Sequence, residues 1–301
     1  MPVDVLLTGA TGFVGRHVVA RAAARGLEAA CVEGDLRDPK VARNAVAATR
    51  PKAVIHLASA LRRSDQPWPA LADDLLMTGN TITAVRDFVP GSVILIPGSA
   101  AQYGDGAQRR LREDDPTTAC TPYGQAKRVL ERACISSPLV GRVRTIFTRS
   151  FNHVGPGQGA DAPIAAWARQ LAEAEARGGG VVRTGRLDVL RDFLDVRDVA
   201  DAYLDLVLSD SEGIVNVCSG TAVLLEDVAE LLLRLVPVPV SLERDPALHR
   251  TIDPPVIVGD PTRLERLTGF RPRIPLEQSL ADVLEEHRAS VIAEDLVVER
   301  G

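Results

Sequence analysis

Residues that could hold a metal ion or a disulfide framework are few, and none is suitably spaced. The four cysteines, Cys31, Cys120, Cys134 and Cys218, form no CxxC pair and no other metal-ligand spacing. Two lie in β-like apolar runs, so buried free thiols are expected. The five histidines are dispersed, without HxH or HExxH, and specify no metal site. No apolar run reaches the ~18–20 residues that a membrane-spanning helix needs. Met1 to Thr8 is too short and too acidic for a signal peptide. These absences lead to the expectation of a soluble cytoplasmic protein with no membrane partner. A dominant sign of charge is missing too. The 35 Lys and Arg against 40 Asp and Glu leave a net charge of −5 with the basic residues scattered, so no nucleic-acid partner is expected. There is no internal repeat and no low-complexity segment.

What is present is an alternation of short Val/Ile/Leu runs with amphipathic stretches, over a chain of 301 residues that can bury a substantial core. The runs Val3 to Thr8, Glu28 to Val32, Ala53 to Leu57, Ser92 to Pro97 and Arg142 to Arg149 predict strands. Phe13 to Arg25, Pro39 to Thr49, Trp68 to Phe88 and Tyr123 to Ser136 predict helices between them. The pattern is that of βαβ units, which predicts an α/β fold, a Rossmann-type doubly wound parallel sheet with a smaller C-terminal substrate-binding lobe. After Ser150, glycines at 155, 157, 159 and 178–180 break the rhythm. A dinucleotide-binding domain is therefore expected over 1–160 and a second lobe mainly over 161–301, with the chain returning to the first near 191–220. A proline-rich stretch follows from Pro237 to Pro275, then a last helix near Leu276 to Arg288, and a tail from Ala289 without a clear role.

The segment LLTGATGFVGRHVVARAAARG sets Gly9, Gly12 and Gly15 directly after the first strand and at the mouth of a helix. Glycines there permit a tight turn and close backbone approach, while helix N–H groups and the positive dipole end face a pyrophosphate. This spacing resembles the extended short-chain dehydrogenase/reductases, the NAD-dependent epimerase/dehydratase family, whose members modify nucleotide sugars. The resemblance implies a cofactor shell of Gly9, Thr11, Gly12, Phe13, Val14, Gly15, Asp35, Leu36, Leu57, Ala58 and Ser59, with Asp35 of EGDLRD at the adenine ring. The link from the second strand to Asp35 is unusually short. Glu33 argues for NAD by accepting from a ribose hydroxyl, whereas Arg16 or Arg37 could pair with a 2′-phosphate. Both NAD and NADP stay open. In LLMTGNT, Leu76 stands where the family usually carries a positioning asparagine.

TPYGQAKRVLE spaces Tyr123 and Lys127 by four, behind a proline suited to a first helical turn, so both project from one face. A lone phenol, with a pKa near ~10, is a poor proton donor around neutrality. A neighbouring ammonium changes that, and Lys127 is expected to stabilise the phenolate and hold the nicotinamide ribose while Tyr123 protonates a carbonyl oxygen. Ser99, in IPGSAAQYG, falls at the C-terminal end of the fourth strand and can donate to the same oxygen. In the sugar 4,6-dehydratases that this stretch resembles, an Asp and a Glu follow the hydroxyl residue. Ala100 and Ala101 stand here instead, so elimination of water lacks its acid and base. Tyr103 is either a substrate contact or a packing residue.

SFNHVGPGQG and RLDVLRDFLDVRDVADAY resemble the GDP-4-keto-6-deoxy-mannose reductase and GDP-mannose dehydratase group, and the segment from Asp245 to Arg288 is nearer the reductases. By that resemblance Asn152 hydrogen-bonds a bound sugar nucleotide, and Arg191 and Arg250 grip its diphosphate, a role suited to permanently charged, forked donors. From the residues alone, Arg191 could form a structural ion pair with Asp192, and Asn152 could form a turn before Gly155. Arg197 and Asp198 read as helix-start charges, and His153 as structural. The expected activity is NAD(P)H-dependent reduction of the C4 ketone of a nucleotide-diphospho-4-keto-6-deoxyhexose. A 4-epimerase with tightly held NAD uses the same Ser99, Tyr123 and Lys127, and a non-catalytic dinucleotide-sensing regulator is a third reading. The resemblance also implies a homodimer.

Overall fold

The computed structural model describes residues 2–61, 67–104, 109–136, 143–249 and 252–298. Strand and helix alternate through β1 (Val5–Thr8), α1 (Phe13–Ala24), β2 (Ala29–Cys31), α2 (Pro39–Thr49), β3 (Ala53–His56), α3 (Pro67–Phe88), β4 (Val93–Pro97), α4 (Pro122–Ile135) and β5 (Arg144–Ser150). Then come β6 (Asn152–Val154), α5 (Pro163–Ala176), β7 (Gly180–Thr184), β8 (Leu190–Arg191), β9 (Phe193–Asp195), α6 (Val196–Leu208) and β10 (Gly213–Val217). The chain closes with β11 (Val223–Leu224), α7 (Leu225–Arg234), β12 (Val240–Arg244), β13 (Val256–Ile257), α8 (Thr262–Thr268) and α9 (Leu276–Val298).

Six strands form one sheet in the order β10-β5-β4-β3-β1-β2, and every neighbouring pair is parallel. Its central strands are apolar on both faces because helices cover both sides. Val5, Leu7, Ala53, Ile55, Val93 and Leu95 face one way, onto α1 and α6. Leu6, Val54, Ile94 and Ile96 face the other, onto α2, α3 and α4. This two-residue alternation is the pleat of each strand made visible in packing.

Two features go beyond the sequence reading. Only residues 32–38 separate β2 from α2, too few for a further strand and crossover, so β2 forms the sheet edge and β3 crosses to the other side of β1. The reversal opens a crevice beyond the C-terminal ends of β1 and β3. The proline-rich stretch Pro237–Pro275 also carries regular structure: β12 pairs with β7, β13 pairs with β8, and α8 follows. Those pairings are tertiary and leave little local signature. A third apolar cluster joins α5, α7 and α9 around Trp167, Leu171, Leu232, Leu280 and Leu284.

Candidate active site

The glycine loop after β1 is shaped by contacts that no side chain could share. Gly9 has φ +66°, and a Cβ there would come within 2.7 Å of the Ala58 nitrogen. A Cβ on Gly15 would run into the Gly9 carbonyl. The Gly12 N–H closes the turn onto the Gly9 carbonyl at 3.0 Å. At the start of α1 the Gly12 cap has no side chain to offer, and no acidic residue stands in the first turn. The helix therefore presents uncovered N–H groups and its positive dipole end, which fits a dinucleotide pyrophosphate. Leu57, Ala58 and Ser59 leave β3 beside this loop, and the Ala58 N–H donates to Thr8 Oγ1 at 3.0 Å. Thr11 and Val14 belong to the same turn, and the Phe13 ring lies 6.0 Å from His17 and 6.1 Å from His153.

Asp35 is exposed and paired with Arg37 at 2.7 Å. Hydrogen bonds from the Arg37 side chain and N–H pull its carboxyl down to about 2. Arg37 also reaches Asp73 at 3.4 Å. Buried Leu36 and the Arg37 carbonyl fix the loop, since Asn80 Nδ2 donates to the Leu36 carbonyl at 2.9 Å and to that of Arg37 at 3.1 Å. The Arg16 guanidinium lies against Gly157.

Thr121 caps α4 by accepting from the Gly124 N–H at 3.1 Å, and Pro122 occupies the first turn. Half-buried Tyr123 and buried Lys127 thus lie one turn apart near that helix start. Ser99 follows β4 and caps a short 3-10 helix, Ala100–Tyr103, accepting from the Ala101 N–H at 3.2 Å. Gln102 returns its amide oxygen to the Ser99 N–H at 2.9 Å. The Gln102 nitrogen then donates to Glu131 at 2.9 Å, and Glu131 pairs with buried Arg149 at 2.7 Å. Gly124 packs directly on the Ala101 carbonyl, so the Ser99 loop and the first turn of α4 are in contact. Ala100 is buried and Ala101 half-buried. Tyr103 is 2% exposed and donates its hydroxyl to Asn216 at 2.7 Å, a packing role.

Lys127 Nζ donates to Ser59 Oγ at 3.2 Å and lies 3.5 Å from Asp74 Oδ2. Ser59 Oγ donates to that same Asp74 oxygen at 2.6 Å, and the Ala60 N–H donates to the other at 2.6 Å. Leu76, expected to replace a positioning asparagine, is 48% exposed and lies on the outer side of α3. The inward face is set by Asp74, Thr78, Thr81 and Val85, at steps of four, three and four. Asp74 was not legible in the sequence, because the neighbouring Asp73 and Asp74 differ only in which way the helix turns them. Beneath them His56 is fully buried, with Thr8 at 3.0 Å from Nδ1 and Thr78 at 3.2 Å from Nε2. Burial, helped by the Lys127 charge, drives His56 down from 6.5 to about 3, so it stays neutral.

In the second half of the chain, Asn152 Nδ2 donates to the Asp192 carbonyl at 3.1 Å. Arg191 is buried and pairs with Asp253 at 2.5 Å, not with its neighbour Asp192. Asp192 is occupied by the N–H groups of Ser219, Gly220 and Gly259 and by the Ser219 hydroxyl. Arg250 lies outside the described residues. Asp195 caps α6 and holds Arg197 at 2.8 Å. Asp198 receives the N–H groups of Arg273 and Ile274.

The NAD dependent epimerase/dehydratase family matches residues 5–218. Over 298 residues the chain is 33% identical to a GDP-6-deoxy-D-mannose reductase of Pseudomonas aeruginosa, covering 95% of this chain and 98% of the relative. It is 27% identical to a dTDP-6-deoxy-L-talose 4-dehydrogenase (NAD(P)(+)) of Kitasatospora kifunensis, covering 94% and 95%. The solved structure of RMD from Pseudomonas aeruginosa complexed with NADPH aligns with a TM-score of 0.85 at 31% identity, over 96% of this chain and 99% of that one.

Proposed function

From the premise that the chain belongs to the NAD dependent epimerase/dehydratase family, we propose that it reduces the C4 ketone of a nucleotide-diphospho-4-keto-6-deoxyhexose with NADH or NADPH. Both relatives are named for nucleotide-linked 6-deoxyhexoses, one as a reductase and one as a 4-dehydrogenase. A reduced dinucleotide held with its pyrophosphate in the Gly9–Gly15 cradle would supply a hydride for C4. Tyr123 gives its proton to the C4 oxygen and recovers one from water. Ser99, held by Gln102 and by its own cap, orients that oxygen, and Lys127 holds the ribose beside Ser59. Arg191 and Arg250 take the substrate diphosphate and Asn152 the sugar nucleotide, with Asp253 keeping Arg191 in place until the diphosphate arrives.

The observation that carries this reading is the meeting of the Ser99 loop with the first turn of α4, where Ala100 and Ala101 leave no acid or base for dehydration. The test is to incubate the pure protein with NADH or NADPH and GDP- or dTDP-linked 4-keto-6-deoxyhexoses. One dinucleotide oxidised per sugar reduced is the expected outcome. Redox-neutral interconversion with copurifying NAD would establish the epimerase instead, and no turnover of any such sugar would remove the reading. We also propose a cytoplasmic location, where reduced dinucleotide is available. We also propose a homodimer through the outer faces of α3 and α4, where Trp68, Leu76, Val129 and Ile135 are exposed.

A further inference from the structure

Three donors converge on the Asp74 carboxylate: the Ala60 N–H, the Ser59 hydroxyl and, at 3.5 Å, the Lys127 ammonium. Because Ser59 spends its hydrogen on Asp74, its lone pairs are left to accept from Lys127 at 3.2 Å. The chain of bonds therefore runs from lysine to serine to aspartate in one direction, and only an acceptor with two ionised oxygens satisfies all of it. An amide in that place would turn N–H groups toward one of the donors. The side chains of Lys127 and Asp74 are 8% and 2% exposed, so water screens their charges little.

We propose that Asp74 is a counter-charge to Lys127, a positioning residue that keeps Tyr123 in its proton-bearing, ketone-reducing state. The proposal rests on the reading of Tyr123 as proton donor. An unopposed ammonium one turn along α4 favours the phenolate, the form needed to oxidise a sugar hydroxyl. Reduction needs the phenol, because the proton that joins the C4 oxygen leaves Tyr123. A carboxylate on the far side of Lys127 cancels part of the ammonium field and tips the pair toward reduction. Among the described residues, the other titratable or charged groups around this pair are His56 from β3, kept neutral, and Tyr203 from α6, whose phenol burial pushes up. Glu131 of α4 is consumed by Arg149 of β5 and by Gln102. Asp73, the neighbour of Asp74 on α3, is turned outward to Arg37. None of these replaces the charge of Asp74.

The sequence allows a direct readout without substrate or dinucleotide. There are three tyrosines; burial pushes Tyr103 up to about 12 and raises Tyr203 as well. The phenolate ultraviolet absorbance that disappears in Tyr123→Phe is the signal of Tyr123. In Asp74→Asn the absorbance midpoint should move to lower pH by roughly one unit, and the alkaline fall of the reduction rate should move with it. An unmoved midpoint, with only stability or rate diminished, would reduce Asp74 to a structural role. If Asp74→Asn does not fold, Lys127→Met and the Asp74→Asn/Lys127→Met double variant decide, the latter removing both charges at once. The midpoint should lie lower in the double variant than in Lys127→Met, and coincident midpoints would overturn the proposal. Turnover that survives Tyr123→Phe, together with a shifted absorbance midpoint in Asp74→Asn, would fault the proton-donor assignment and leave the charge coupling standing.

Discussion

At the residue scale, the site owes its character to side chains whose charge is fixed by burial. His56 lies under the Lys127 and Asp74 pair and bonds to Thr8 and Thr78 in its neutral form. Its folded value of about 3 is below the ordinary 6.5, so between those limits the unfolded chain binds the extra proton. Stability from this group is thus present above about pH 6.5 and is lost as pH falls through that window toward 3. Urea denaturation at pH 7 and pH 5 should show wild type losing about 2 kcal/mol more than His56→Gln, from about 1.4 kcal/mol per pH unit below 6.5. Equal losses in the two proteins would show that His56 takes no part. Tyr123, Lys127 and Ser99 were readable in sequence because each sits beside a proline, glycine or helical spacing that reports its backbone. Asp74 and Gln102 were not, since their roles come from partners in other elements, Lys127 and Ser59 for one and Glu131 for the other.

At the element scale, local signals and tertiary ones divide sharply. The loop Gly9–Gly15 could be read because its glycines, the strand before and the helix after are contiguous. The start of α4 could be read from Pro122 in TPYGQAKRVLE, while its Thr121 cap and the Asp38 cap of α2 emerge from the structure. The strands β12 and β13 could not, since their partners β7 and β8 lie far away in sequence and their own residues include few continuous apolar runs. The helix pair α3 and α4 is the element with most left uncovered. Two of its four exposed apolar side chains, Trp68 and Val129, line an open groove of about 540 Å³ together with Ala119, Ala133 and the polar Gln125, Arg128, Arg132 and Ser136. These exposed apolar side chains are where the proposed dimer would form. Sedimentation should give the mass of two chains for the wild type and one for Val129→Glu, whereas a single-chain mass for the wild type would dismiss the proposed dimer.

At the scale of the whole molecule, a doubly wound sheet assembles groups from distant segments by aiming strand ends in one direction. Gly9, Ser59 and Ser99 all follow parallel strands at that edge, and α4 brings Tyr123 and Lys127 against it. The alternation of apolar runs made this sheet legible, because strands buried on both faces must be apolar throughout. The short passage from β2 to α2 was legible only as a missing length; its consequence, an edge position for β2, required the pairing order. Whether those converging groups perform proton transfer is tested most directly by replacing Tyr123 with Phe and measuring both dinucleotide binding and reduction of the 4-keto sugar. Turnover is expected to fall by about 10²–10⁴-fold with dinucleotide affinity retained. Turnover equal to that of the wild type would contradict the assignment.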